Sequence, residues 1–92
     1  MNKRSYLPHE PPGSTLVLLG RNVGYWRRVR AMTPKELAAQ AHIAQDLLCS
    51  IEAGEHDPGL DLLDRLAEAL EVTPRQLLAK TIIGGLSVDK AR

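Results

Sequence analysis

Apolar residues recur along this chain at helical intervals. Leu16, Leu19, Val23 and Trp26 follow at spacings of three, four and three, placing them on one face of a helix that runs to about Arg30. Ser14 or Thr15 can cap its start. Gly20 and Gly24 lie inside it, each costing about 1 kcal/mol relative to alanine. Their four-residue spacing would let a second helix approach closely, although simple tolerance is the more ordinary explanation. Thr33-Pro34-Lys35-Glu36 reads as a second helix start, with threonine as N-cap, proline at the first helical position and a glutamate that reaches back to the cap. Leu37, Ala38 and Ala41 form its inward face. Ala44, Leu47, Leu48 and Ile51 define a third helix that Gly54 stops, with only His42 and Ile43 clearly between the two. After the loop Asp57-Pro58-Gly59, a fourth helix carries Leu60, Leu63, Leu66, Ala67 and Leu70, with Leu60 and Leu62 expected inside. Thr73-Pro74-Arg75-Gln76 repeats the capping logic and opens a fifth helix carrying Leu77, Leu78 and Ile82 before Gly84-Gly85. No segment alternates with period two for long enough to predict a strand. The expected fold is all-α, a compact five-helix bundle.

Composition agrees with that pattern and narrows it. At 92 residues the chain holds one small domain, and with aromatics at 3% its core must be aliphatic. Residues 1–13, rich in proline, read as a flexible basic arm, 14–83 as the folded domain and 84–92 as a C-terminal tail. Apolar runs are far too short for a membrane span, which needs roughly 20 residues, and no secretion signal is legible, so a cytoplasmic setting is expected. The single Cys49 permits no internal disulfide and reads as a packed thiol, with a redox switch as the lesser alternative. His9, His42 and His56 lack ligand spacing, so no metal and no cofactor is expected. Net charge is +1, but it is unevenly spread. Residues 1–30 carry Lys3, Arg4, Arg21, Arg27, Arg28 and Arg30 against Glu10, while the remainder is net −4. The positive end is a candidate polyanion surface.

From Leu19 to Leu78 the chain resembles the phage repressor and Cro family, the xenobiotic-response-element class of helix-turn-helix regulators. The landmarks are Leu19, Val23, Trp26 and Arg27, then Met32-Thr33, Glu36-Leu37-Ala38, Leu48, Ile51-Glu52 and Gly54. They continue with Pro58, Leu63, Ala67, Leu70, Val72 and Leu77-Leu78. The resemblance implies a lambda-repressor-like DNA-binding domain whose third helix enters the major groove, held at depth by the second. Groove-facing positions carried over from the family are Gln45, Asp46 and Ser50. Gln45 suits adenine, Asp46 can only accept and suits the cytosine amino group, and Ser50 discriminates less. Arg27, Arg28, Arg30, Thr33 and Lys35 are the candidate backbone contacts. Leu47 joins them, touching either the DNA, at a thymine methyl for instance, or the core. The resemblance also implies an ion pair between Arg27 and Glu52. Three departures are Ala31, His42 and Glu71, where the family usually has glycine in a left-handed conformation, so either strain or a slightly different turn is expected at each. A fourth is Ala44, where serine or threonine often caps the recognition helix.

Residues 33–57 carry Lys35 against Glu36, Asp46, Glu52, Glu55 and Asp57, although DNA affinity is dominated by neutralising phosphate. One monomer therefore supplies few phosphate contacts, and the expected form is a homodimer on a two-fold site, joined through Ile82, Ile83 and Leu86. The leading function is a sequence-specific DNA-binding regulator that occupies an operator. The alternative is a protein-interaction module on the same fold, an antitoxin or co-regulator whose acidic surface meets a regulatory protein. Enzymatic activity is not expected, because no nucleophile and base stand at motif spacing.

Overall fold

Two of the helix starts carry their own hydrogen-bonding instructions. Thr33 Oγ1 accepts from the Glu36 amide at 3.0 Å while Glu36 Oε1 accepts from the Thr33 amide at 2.8 Å. Thr73 and Gln76 make the same reciprocal pair at 3.1 and 2.9 Å. Each is succeeded by proline in the first turn, where a missing N–H costs nothing. The computed structural model describes residues 14–80. They form α1 (Ser14–Val29), α2 (Pro34–Ala41), α3 (Gln45–Glu52), α4 (Gly59–Leu70) and α5 (Pro74–Leu77), with no strand among the described residues. The arm bases Lys3 and Arg4, and the interface candidates Ile82, Ile83 and Leu86, lie outside the described residues.

Three of the connections share one design. After α1, α2 and α4 the chain turns through a left-handed residue, Ala31 (φ 57°), His42 (φ 61°) and Glu71 (φ 61°), none of them glycine. In each turn the next amide reaches back five residues: Met32 to the Arg27 carbonyl, Ile43 to that of Ala38, Val72 to that of Ala67. Met32, Ile43 and Val72 pack against the core, the hydrophobic contact such endings favour. Thr33, Ala44 and Thr73 then occupy the N-cap of the next helix, but Ala44 has no side chain to cap with. An arginine donates to carbonyls of all three turns. Arg27 Nη1 reaches Met32 O at 2.9 Å, Arg30 reaches Leu70 O and Glu71 O at 2.7 and 3.1 Å, and Arg65 reaches His42 O and Ala41 O at 3.2 and 3.4 Å. The end of α3 has the glycine the others lack, Gly54 at φ 78°, and no arginine donates to it among the described residues.

The core is aliphatic around one indole: Leu19, Val23 and Trp26 of α1 meet Leu37, Leu48, Ile51, Leu66, Leu70 and Leu77. Gly20 is not merely tolerated. A Cβ there would overlap the carbonyl oxygens of Ile51 and Glu52, the latter at 2.6 Å, so the bare backbone lets α1 and α3 cross at close range. Gly24 continues that contact beneath the Glu52 carboxylate.

Other expectations are corrected. Leu60 is 81% exposed, because it stands on the first turn of α4 beyond the reach of the core, whereas Leu62 packs against it. The fifth helix is shorter than its apolar pattern predicts, ending at Leu77 with Leu78 as its C-cap. The cause is Asn22, buried to 1% exposure on the core face of α1. Its Nδ2 donates to the carbonyls of Leu77 and Ala79 at 2.8 Å each and draws the chain onto α1 instead of letting the helical ladder run on.

Candidate nucleic-acid interface

The two faces of α3 are sharply different. Leu48 and Ile51 are buried, and Leu47 is half-buried against the core, whereas Gln45, Asp46, Cys49 and Ala53 are exposed with Ser50 half-exposed beside them. At 3.6 residues per turn those five positions form one outward stripe, in which Cys49 lies one turn beyond Gln45. The expected packed thiol is therefore corrected: Cys49 is free and exposed, on the side of the helix opposite Leu48 and Ile51. Its small size had suggested burial; its angular place between Gln45 and Ala53 was the better signal.

Behind α3, Arg27 and Glu52 make a two-pronged ion pair. Nε lies 2.8 Å from Oε2 and Nη2 lies 3.3 Å from Oε1, with side-chain exposures of 14% and 19%. With the third prong, Nη1 to Met32 O, each nitrogen of the guanidinium donates within the fold. Arg30 is similarly committed, since it donates to the end of α4 and stacks 5.7 Å above the Trp26 ring. Arg27 is thus taken up within the fold, whereas Arg30 makes these bonds and stays exposed. Arg28, in the last turn of α1, and Lys35, in the first turn of α2, are exposed cations. Thr33 stands exposed beside Lys35, and its hydroxyl, although it accepts from Glu36, keeps its own proton to donate.

The structure thus brings Gln45, Asp46 and Ser50 onto one exposed surface and joins Arg27 to Glu52, while it directs Arg30 elsewhere. Sequence reasoning missed Asn22 and Arg65 and misplaced Cys49. A polar residue three after Leu19 and four before Trp26 was a readable sign of buried hydrogen bonding at Asn22. Arg65 gave no such sign. Among the described residues no cluster of His, Cys, Asp or Glu could hold a metal, and no helix is long and apolar enough to cross a membrane.

Comparison with known proteins agrees with this geometry. The helix-turn-helix family profile matches residues 25–77. An uncharacterized HTH-type transcriptional regulator of Sinorhizobium fredii, y4dJ, is 34% identical over 64 residues, covering 70% of this chain and 83% of that protein. The restriction-modification controller protein C.AhdI of Aeromonas hydrophila superposes with a TM-score of 0.66 at 26% identity, over 67% of this chain and 94% of its own. The hypothetical transcription factor NHTF from Neisseria gives 0.69 at 24% identity, over 75% and 80%, a likeness of fold. With α2 and α3 held at a three-residue turn and a bare polar stripe on α3, the chain belongs to the helix-turn-helix family of phage repressor and Cro type, a class of DNA-binding transcriptional regulators rather than enzymes.

Proposed function

We propose that this regulator acts in the cytoplasm as a homodimer on a two-fold operator, inserting α3 into the major groove. The observation that carries it is the bare outer stripe of α3, where Gln45, Asp46 and Ser50 present side-chain donors and acceptors while the opposite face is buried. Gln45 pairs with adenine and Asp46 accepts from a cytosine amino group. Arg28, Thr33 and Lys35 hold phosphates, and Leu47 completes the surface with an apolar edge. Arg27 acts through Glu52 as scaffold, and Arg30 through the end of α4.

Dimerisation is supported by charge. So few free cations per monomer give weak phosphate binding, and two half-sites double the number of contacts. Leu78 is 41% exposed just after α5, and Ile82, Ile83 and Leu86 continue the apolar sequence beyond it, so this end of the chain is the proposed interface. The likeness to a restriction-modification controller supports control by operator occupancy.

Selecting bound duplexes from a random pool tests both parts at once, the expected product being an enriched two-fold sequence. Charged replacements at Ile82 and Ile83 should weaken cooperative binding and leave helix content unchanged. An unenriched pool together with a stoichiometric protein partner would transfer the function to the second reading, an antitoxin or co-regulator, which the acidic excess over residues 33–57 favours.

A further inference from the structure

Arg65 stands on α4, outside the helix-turn-helix, yet it bonds to the turn. Its Nη1 donates to His42 O at 3.2 Å and to Ala41 O at 3.4 Å, the left-handed residue and the last residue of α2. Asp61, one turn earlier, lies 3.5 Å from Arg65 Nε as an exposed i,i+4 ion pair. Beside the contact lies an open cleft of about 290 Å3 lined by Gln40, His42, Arg65, Glu68 and Ala69, so on this outer side the carbonyls are held by hydrogen bonds, while Ala41 and Ile43 pack inward against the core.

The same contact is built a second time. Arg30 donates to Leu70 O and Glu71 O, again the last helical residue and the left-handed residue after it. The two sites differ in how the next helix starts. Helix α5 begins with the Thr73 capping box, whereas α3 begins at Ala44 with no side-chain cap. The turn before α3 therefore lacks both the glycine that would relax it and the cap that would fix its exit, and Arg65 supplies an anchor from outside.

On the operator-binding reading, we propose that Arg65 is a positioning residue for DNA recognition. By holding the carbonyls of Ala41 and His42 it fixes the turn, and with it the direction in which α3 presents Gln45, Asp46 and Ser50. It touches no DNA itself.

The test uses the full chain as wild type, Arg65→Gln, Arg65→Lys, and Arg65→Gln combined with His42→Gly. Each is titrated against the selected duplex and a scrambled one at several salt concentrations, and amide hydrogen exchange is recorded on the free protein. Arg65→Gln is expected to lower the ratio of selected to scrambled affinity roughly tenfold, the scale of hydrogen bonds from a charged donor. Scrambled-duplex affinity should stay within about twofold, with the salt slope unchanged, because no phosphate contact is lost. Exchange should quicken at the amides of His42 and Ile43, which bond to the carbonyls of Ala39 and Ala38. Arg65→Lys, which unlike the shorter glutamine keeps a charged donor of similar reach, should recover part of the ratio. Adding His42→Gly to Arg65→Gln should restore protection, because glycine holds the turn without help. An equal loss on both duplexes with a salt slope smaller by about one unit would identify a phosphate contact and overturn the proposal. Unchanged exchange at His42 and Ile43 would overturn it whether or not DNA is bound. Should the wild type show no preference between duplexes, the operator reading fails by itself, and exchange still decides whether Arg65 holds the turn.

Discussion

Glu71 occupies a backbone conformation that an L-residue enters at a cost of roughly 1–2 kcal/mol, and its side chain is exposed. Glu71→Gly removes that cost but returns some chain entropy to the unfolded state. Arg30 bonds to the carbonyl of residue 71, not its side chain, so the anchor survives the change. The expected gain is about 1 kcal/mol, or roughly 4–8 °C in a domain of this size, read from Trp26 fluorescence on heating. Arg27 gives the opposite sign. Removing it leaves the largely buried Glu52 carboxylate without its partner and the Met32 carbonyl without a donor. Arg27→Ala should therefore lower stability by about 2–3 kcal/mol, below the 3–5 of a fully buried pair because both groups keep some water. Glu52→Gln, which retains an acceptor, should cost clearly less. Equal and negligible losses in denaturant titrations of both variants would remove the pair from the scaffold.

At the scale of elements, legibility followed locality. The capping boxes at Thr33 and Thr73 involve residues three apart and could be read directly, as could the left-handed turns at Ala31, His42 and Glu71 once aligned with a family that places glycine there. The cap missing at Ala44 was equally plain. By contrast, the early end of α5 depends on Asn22, which lies 55 residues away from Leu77, and the anchored turn before α3 depends on Arg65, 23 residues from His42. Such contacts leave no periodic mark in a sequence. Leu60 and Cys49 failed for other reasons: Leu60 shares the angular face of Leu63 and Ala67 but stands on the first turn of α4 beyond the reach of the core, whereas Cys49 suggested burial by its type although its angular position on α3 faces solvent. The bare start of α3 also yields a prediction. Ala44 already has the extended backbone of a cap (φ −71°, ψ 145°), so Ala44→Ser adds an acceptor for a free first-turn amide without moving the chain. Stability should rise by about 0.5–1 kcal/mol, a gain measurable in urea titrations. No gain would mean that the first-turn amides of α3 are already satisfied.

At the scale of the whole molecule, the decisive quantity is how few cations of the described residues stand beside α2 and α3 for DNA. The fold commits Arg27, Arg30 and Arg65 to turn carbonyls, although Arg30 stays exposed, and Arg28 and Lys35 are the exposed cations beside α2 and α3 without such a bond. Each lost phosphate contact should reduce the slope of log affinity against log salt by about one unit per half-site. Arg28→Ala and Lys35→Ala are thus expected to weaken every duplex alike, whereas Arg30→Ala should lower stability and leave the slope alone. Asp46 separates affinity from reading most sharply, because an exposed carboxylate on the first turn of α3 repels nearby phosphates and helps only by accepting from a base. Asp46→Asn should raise affinity for scrambled duplexes while relaxing the preference at one base pair per half-site, a loss of about 1–3 kcal/mol of discrimination. Repeating the selection with this variant supplies the measurement. If the same sequence emerges with the same stringency, Asp46 reads no base, and its charge on the outer stripe serves a basic protein surface instead.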